Sequence, residues 1–237
     1  MKSRFVPLSH WVLFLAISTV AARDTLLDIN FFKSSAASDF NSSFANYAIP
    51  GAFVGDNGNV SFTRNMLVVD STPFTKSVPL SPFGTLDHVK YLTFNKDTYK
   101  FGSTYNTITC SISMKVEVKA GPLPSVFGSV NSATDPRLAA GAFVTIDQSN
   151  TFIVADFMVT SSRVYALYER LPFARTATHV YGAFTHMIPV ASITESNEVH
   201  TYAIEYNRRK RTITWLVDDS IVFTVDNVGY RLSPEYR

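Results

Sequence analysis

The chain has 237 residues, with 21 Lys and Arg against 19 Asp and Glu. That near balance argues against the basic stripe with which nucleic-acid-binding domains neutralise phosphates, so no nucleic-acid partner is expected. The single cysteine, Cys110, excludes an internal disulfide, so stability must come from a buried core, and the length suits one sandwich-sized domain.

Residues 1–22 carry Lys2 and Arg4, an apolar run from Trp11 to Ala16, and Val20-Ala21-Ala22 ahead of the charged Arg23-Asp24. This is the order of a secretory signal peptide. The apolar run is shorter than the roughly 20 residues that span a bilayer. We therefore expect residues 1–22 to be a leader, the product to be secreted and extracellular with no membrane partner after leader removal, and residues 23–237 to form a single β-sandwich domain. With Lys2 and Arg4 removed, 19 basic residues balance 19 acidic ones.

Arg23 to Ala45 lacks clean periodicity and reads as irregular, with one strand near Leu26. Asn41-Ser42-Ser43 and Asn59-Val60-Ser61 are glycosylation sequons, which for a secreted glycoprotein place Asn41 and Asn59 in exposed loops. Val60 to Val69 reads as a strand. Thr72 to Phe83 contains Pro73, Pro79 and Pro82 and reads as loop or edge. In Thr107 to Val118, the residues Ile108, Cys110, Ile112, Met114, Val116 and Val118 alternate with polar ones, which predicts a core strand with Cys110 as a small buried hydrophobe. Ala120 to Arg137, rich in Pro and Gly, is a loop long enough to be functional.

Three strands follow in quick succession, Gly141 to Asp147, Phe152 to Thr160 and Val164 to Arg170, with turns at Gln148-Ser149-Asn150 and Ser161-Ser162. Another runs from Val180 to Ile188 and is ended by Pro189. The clearest alternation is in Val199 to Val225, where a basic turn at Arg208 to Arg211 and a break at Asp218-Asp219 divide three strands of an antiparallel meander. There is no long amphipathic helix and no internal repeat. The pattern predicts an all-β, antiparallel two-sheet sandwich, with an up-and-down barrel as the alternative.

HTYAIEY followed by ITWLVDDSIVFTV resembles the paired strands of concanavalin A-like jelly rolls, especially the laminarinase and lichenase family of glycoside hydrolases. VYALYERLPF and VGYRLSPEYR are similar to an uncharacterised family of secreted domains with that same lectin and glucanase fold. The resemblance implies a concanavalin A-like jelly roll. Because those jelly rolls continue into further strands beyond the point where Tyr236-Arg237 ends this sequence, it also leaves a C-terminal truncation open. The glucanases carry E-x-D-x-E on one strand. The matching stretch here, Tyr165-Ala166-Leu167-Tyr168-Glu169, fills only the last acidic position, so laminarin and lichenan hydrolysis is not expected.

A two-residue connection at Ser161-Ser162 predicts the register of its hairpin: Met158 opposite Tyr165, Asp156 opposite Leu167, Val154 opposite Glu169. Ile153, Ala155, Phe157 and Val159 then share a core face with Val164, Ala166 and Tyr168. Asp156 and Glu169 become diagonal neighbours on the other face, close enough for one carboxyl to keep its proton. These two are the candidate catalytic residues, and Tyr165, Arg163 and Tyr181 the candidate ligand-binding ones. His88, His179, His186 and His200 lack metal-ligand spacing, so no metal and no cofactor is expected. Trp215 reads as packing, and Arg170 as a side chain emerging at a strand end. The function these residues suggest is a lectin-like carbohydrate-binding domain presenting a concave sheet to a polysaccharide or glycan ligand. The alternatives are a glycoside hydrolase or polysaccharide lyase using a non-standard carboxylate pair, and a structural or protein-interaction domain.

Overall fold

A computed structural model of the protein describes residues 24–46, 59–63, 65–70, 92–117, 131, 133–136, 139–148, 151–172, 175, 177, 180, 182–194 and 198–236. The leader, the Pro-rich 72–83 segment, most of the 120–137 loop and Tyr181 lie outside them. The chain divides into two compact units, Met1–Tyr99 and Lys100–Arg237.

In the first unit the segment expected to be irregular forms a helix, α1, Ala36–Ser43, and no strand forms at Leu26. Ser35 sits at its N-cap and donates from Oγ to Asp39 Oδ2 at 2.8 Å, which holds an acidic side chain at the positive end of the helix dipole. Two turns are too few for a helical period to stand out from a Ser- and Ala-rich sequence. Strand β1, Phe44–Asn46, follows directly. The predicted strand over Val60 to Val69 is instead a hairpin of β2, Asn59–Phe62, and β3, Leu67–Asp70, closed where the Thr63 amide donates to the Met66 carbonyl. Strand β4, Thr93–Asn95, pairs antiparallel with β1. Phe40 stacks on Phe44 at 4.8 Å and meets Phe62 edge-on at 5.8 Å, giving this unit an aromatic cluster.

The second unit holds β5, Thr107–Met114; β6, Gly141–Ile146; β7, Ile153–Val159; β8, Arg163–Arg170; β9, Phe184–Ser192; β10, His200–Asn207; β11, Thr212–Val217; and β12, Ser220–Asp226. They form two antiparallel four-stranded sheets, ordered β12-β11-β10-β5 and β6-β7-β8-β9. After β5 the chain leaves the first sheet, builds the whole second sheet as a meander, and returns as β10 beside β5. The fold is the expected all-β two-sheet sandwich.

Its core lies where the inner rows meet. Ile153, Ala155, Phe157, Val159, Val164, Ala166 and Tyr168 face Tyr202, Ile204, Ile213, Trp215 and Val225. Phe157 meets Tyr202 at 5.2 Å, Tyr168 meets Trp215 edge-on at 6.4 Å, and the fully buried Trp215 donates from Nε1 to the Asp156 carbonyl at 2.8 Å. One indole thus joins the sheets by packing and by a hydrogen bond.

Two strands depart from expectation. β5 keeps the predicted parity but is the outermost described strand of its sheet, not a central one, and Ile112 on it is 39 % exposed. Cys110 is half-buried there, and burial raises its thiol pKa. β9 begins at Phe184 and runs through Pro189. A ring without an N–H is tolerated because β9 is the outermost described strand on its side of the sheet and its pairing with β8 shifts by one residue next to Pro189. The remaining turns follow local chemistry. Asp218 and Asp219 both have positive φ, +49° and +62°, as a two-residue hairpin turn requires. In the basic turn, Asn207 Oδ1 accepts the Lys210 amide at 2.9 Å.

After β12 the chain returns across the sandwich and is pinned from beneath. The buried Tyr168 hydroxyl accepts the Gly229 amide at 2.9 Å and donates to the Tyr230 carbonyl at 3.0 Å. His186 Nε2 accepts the Leu232 amide at 3.2 Å, which leaves the proton on Nδ1 to be donated to the Tyr236 carbonyl at 3.0 Å. Arg170, at the end of β8, lays its guanidinium 5.9 Å from the centre of the Phe184 ring.

Candidate functional site

The β7–β8 hairpin has the register derived from its two-residue connection: Met158 opposite Tyr165, Asp156 opposite Leu167, Val154 opposite Glu169. Asp156 and Glu169 therefore share the face that points away from Phe157 and Tyr168. Their neighbours on that face are Val144 on β6, across from Asp156, and Thr185 on β9, across from Glu169.

The face is drier than alternation suggests. Asp156 is 6 % exposed and Tyr165 7 %, and Val154 and Leu167 are buried as well. Part of the cover is the segment Ala133–Asp135. The Ala133 carbonyl accepts the Thr160 hydroxyl at 2.7 Å and the Ser162 amide at 3.2 Å, and the Thr134 carbonyl accepts the Tyr165 hydroxyl. Tyr165 is thus packed with its hydroxyl occupied, where a ligand-binding side chain was expected.

Asp156 Oδ1 is solvent-inaccessible and has no hydrogen-bond partner. Burial raises the pKa of this carboxyl well above the usual aspartate value, and the charge of nearby Glu169 raises it further. Glu169 is half-buried. Desolvation raises its pKa too, against a hydrogen bond from Thr185 Oγ1 to Oε2 at 3.1 Å. The pair can therefore hold a proton on Asp156 beside a carboxyl that ionises first and that solvent reaches, an acid and a base within one patch.

The other predicted members are not brought to this pair. Arg163 is exposed on the same face, but six residues along β8 from Glu169, about 20 Å away at strand rise. Tyr181 lies outside the described residues. Asn41 is exposed on the last turn of α1, so its sequon lies on a helix and not in a loop. Asn59 opens β2, a strand and not a loop. Thr185 went unrecognised, since a threonine in a β-rich run has no local mark; only the β8–β9 register places it against Glu169. Among the described residues no group of three or more His, Cys, Asp and Glu could hold a metal ion, and no helix is long and apolar enough to cross a membrane.

A family model described as a family of unknown function, DUF6081, matches residues 31–237. An uncharacterised protein of Acanthamoeba polyphaga mimivirus is 30% identical over 239 residues, covering 77% of this chain and 54% of the viral protein. The chain thus spans about half the length of that curated relative. No solved structure matches.

Proposed function

The chain belongs to the DUF6081 family, and we propose from its geometry that it is a secreted, lectin-like carbohydrate-binding domain whose glycan contact is the Asp156–Glu169 patch. The observation that supports this reading is the placing of two carboxyls on one sheet face, with burial raising both pKa values and only Glu169 open to solvent. In that setting Glu169 and Thr185 accept and donate hydrogen bonds to sugar hydroxyls, and Asp156 holds a proton behind them. The resemblance of the β10 to β12 sequence to concanavalin A-like proteins makes a glycan the ligand class to test first.

A second reading is favoured by the raised pKa of Asp156 itself. A protonated acid beside an ionised carboxylate is what a glycoside hydrolase or polysaccharide lyase requires. The purified protein is incubated with β-glucans, chitin, and pectic and alginate-type polymers, and retention is measured together with released ends. Retention without new ends, weakened in Glu169→Gln, is the expected result. New ends that vanish in Asp156→Asn establish the enzyme instead. Neither retention nor cleavage refutes both and leaves a protein ligand or a structural role.

A further inference from the structure

The segment after β12 combines a fixed backbone with an unusually open aromatic side chain. Between Val228 and Leu232 every anchor is internal. The Val228 amide donates to the Arg211 carbonyl at 3.0 Å, Tyr168 clamps Gly229 and Tyr230, and His186 holds the Leu232 amide. Val228 itself is buried. Yet Tyr230, in the middle of this clamp, is 64 % exposed. Arg211 lays its guanidinium 5.6 Å from the ring centre and also reaches the Val228 carbonyl at 3.4 Å, so a cation lies beside a ring that stays largely open to solvent.

The ring borders an open depression of about 530 Å³ whose rim carries Arg211, Arg231, Asp226, Asn227 and Ser233. The depression is shallow and open to solvent. The chemistry of the rim is selective. An exposed aromatic face stacks on the apolar face of a pyranose, the Asp226 carboxylate and Asn227 amide suit hydroxyls, and two guanidinium groups suit an anionic substituent by paired hydrogen bonds. Because Tyr168 and His186 already fix the backbone, little ordering cost remains at binding.

We propose that Tyr230, with Arg211, Arg231 and Asp226, forms a second saccharide site, specific for an acidic sugar bearing a carboxylate or a sulfate. It deepens the carbohydrate-binding reading and rests on it, but it uses none of the residues of the Asp156–Glu169 patch. The probes are an oligogalacturonate, a sulfated oligosaccharide and a neutral β-glucan oligosaccharide, each titrated by calorimetry into the intact protein. An acidic probe should bind more tightly than the neutral one. Its affinity should fall at least about fivefold in Tyr230→Ala and in Arg231→Ala, persist in Tyr230→Phe, and weaken with added salt. Which acidic probe binds decides between carboxylate and sulfate. Tyr230 and Arg231 are exposed, and Tyr168 bonds only backbone atoms of the segment, so the variants should melt with the wild type. An acidic probe bound equally well by folded Tyr230→Ala overturns the site. If neutral-glycan binding that depends on Glu169 survives alongside that result, the site fails while the broader reading stands. If no probe binds the wild type, both fail.

Discussion

Replacing Asp156 by Asn removes a charge while keeping the shape and hydrogen-bonding character of a protonated acid. In the folded chain Asp156 is 6 % exposed, its Oδ1 has no partner, and its face-sharing neighbours are Val144, Leu167 and the diagonal Glu169. Both carboxyl pKa values lie above the unfolded values of 3.8 and 4.5. The folded state therefore binds more protons than the unfolded chain. The stability this contributes is fully present below the unfolded pKa of Asp156 and is lost as pH rises through its folded value. At neutral pH the folded chain must either hold the proton on Asp156 against the solvent or bury an unpaired charge, and either costs at least about 1–3 kcal/mol, the penalty of an unsatisfied buried polar group. Asp156→Asn should remove that cost, raising Tm by at least about 2 °C at pH 8. The advantage should shrink as the pH is lowered toward 4, where the wild-type acid is itself neutral. Urea denaturation of both proteins from pH 4 to 8 measures it, and the pH dependence is decisive, because an amide left partly unpaired lowers the whole curve without tilting it. A difference between variant and wild type that is flat across this range would refute the reasoning, for it would mean that folded Asp156 titrates as it does in the unfolded chain.

Tyr168→Phe keeps the core ring but leaves the Gly229 amide and the Tyr230 carbonyl without their partner, so a loss of about 1–3 kcal/mol is expected in urea denaturation, with faster hydrogen exchange at Gly229. Gly229→Ala should destabilise by about 1–3 kcal/mol on the same measurement, since φ is +105° there and an added Cβ would lie 3.1 Å from the Arg170 guanidinium.

The β7–β8 hairpin was legible because alternation met a two-residue turn. Ser161-Ser162 settles the pairing of β7 with β8 down to Val154 against Glu169, because a slip of one residue would turn every apolar side chain to the wrong face, whereas the turn at Asp218-Asp219 fixes β11 against β12 only as far as Leu216 opposite Ile221, beyond which the register shifts by one residue. Pairings across long separations left no such trace. Nothing near Thr107 announces that β5 will lie beside β10 some ninety residues later, so its apolar parity read as a core strand when it is an outer one. Pro189 misled for a related reason: proline ends a central strand but is accommodated on an outer one beside a register shift, and strand position is a property of the sheet.

The carboxyl pair shows the same boundary within one site. Strand parity was enough to put Asp156 and Glu169 on one face, but parity describes two faces and says nothing of what lies over either. Tyr165 was expected to present its ring on that face and instead spends its hydroxyl on the Thr134 carbonyl, a contact made by a loop whose Pro and Gly content reveals only that it is a loop. The Tyr230 surface reverses the case. Its exposed ring stands in a stretch with no periodicity to read, and the backbone beneath it is held by Tyr168, 62 positions before Tyr230, and by His186, 46 positions before Leu232. The face of the sheet that a side chain takes is thus predictable from its own strand, while its burial and its availability to a ligand depend on segments that reach it from elsewhere in the chain. Sites of recognition are accordingly less legible than the sheets that carry them.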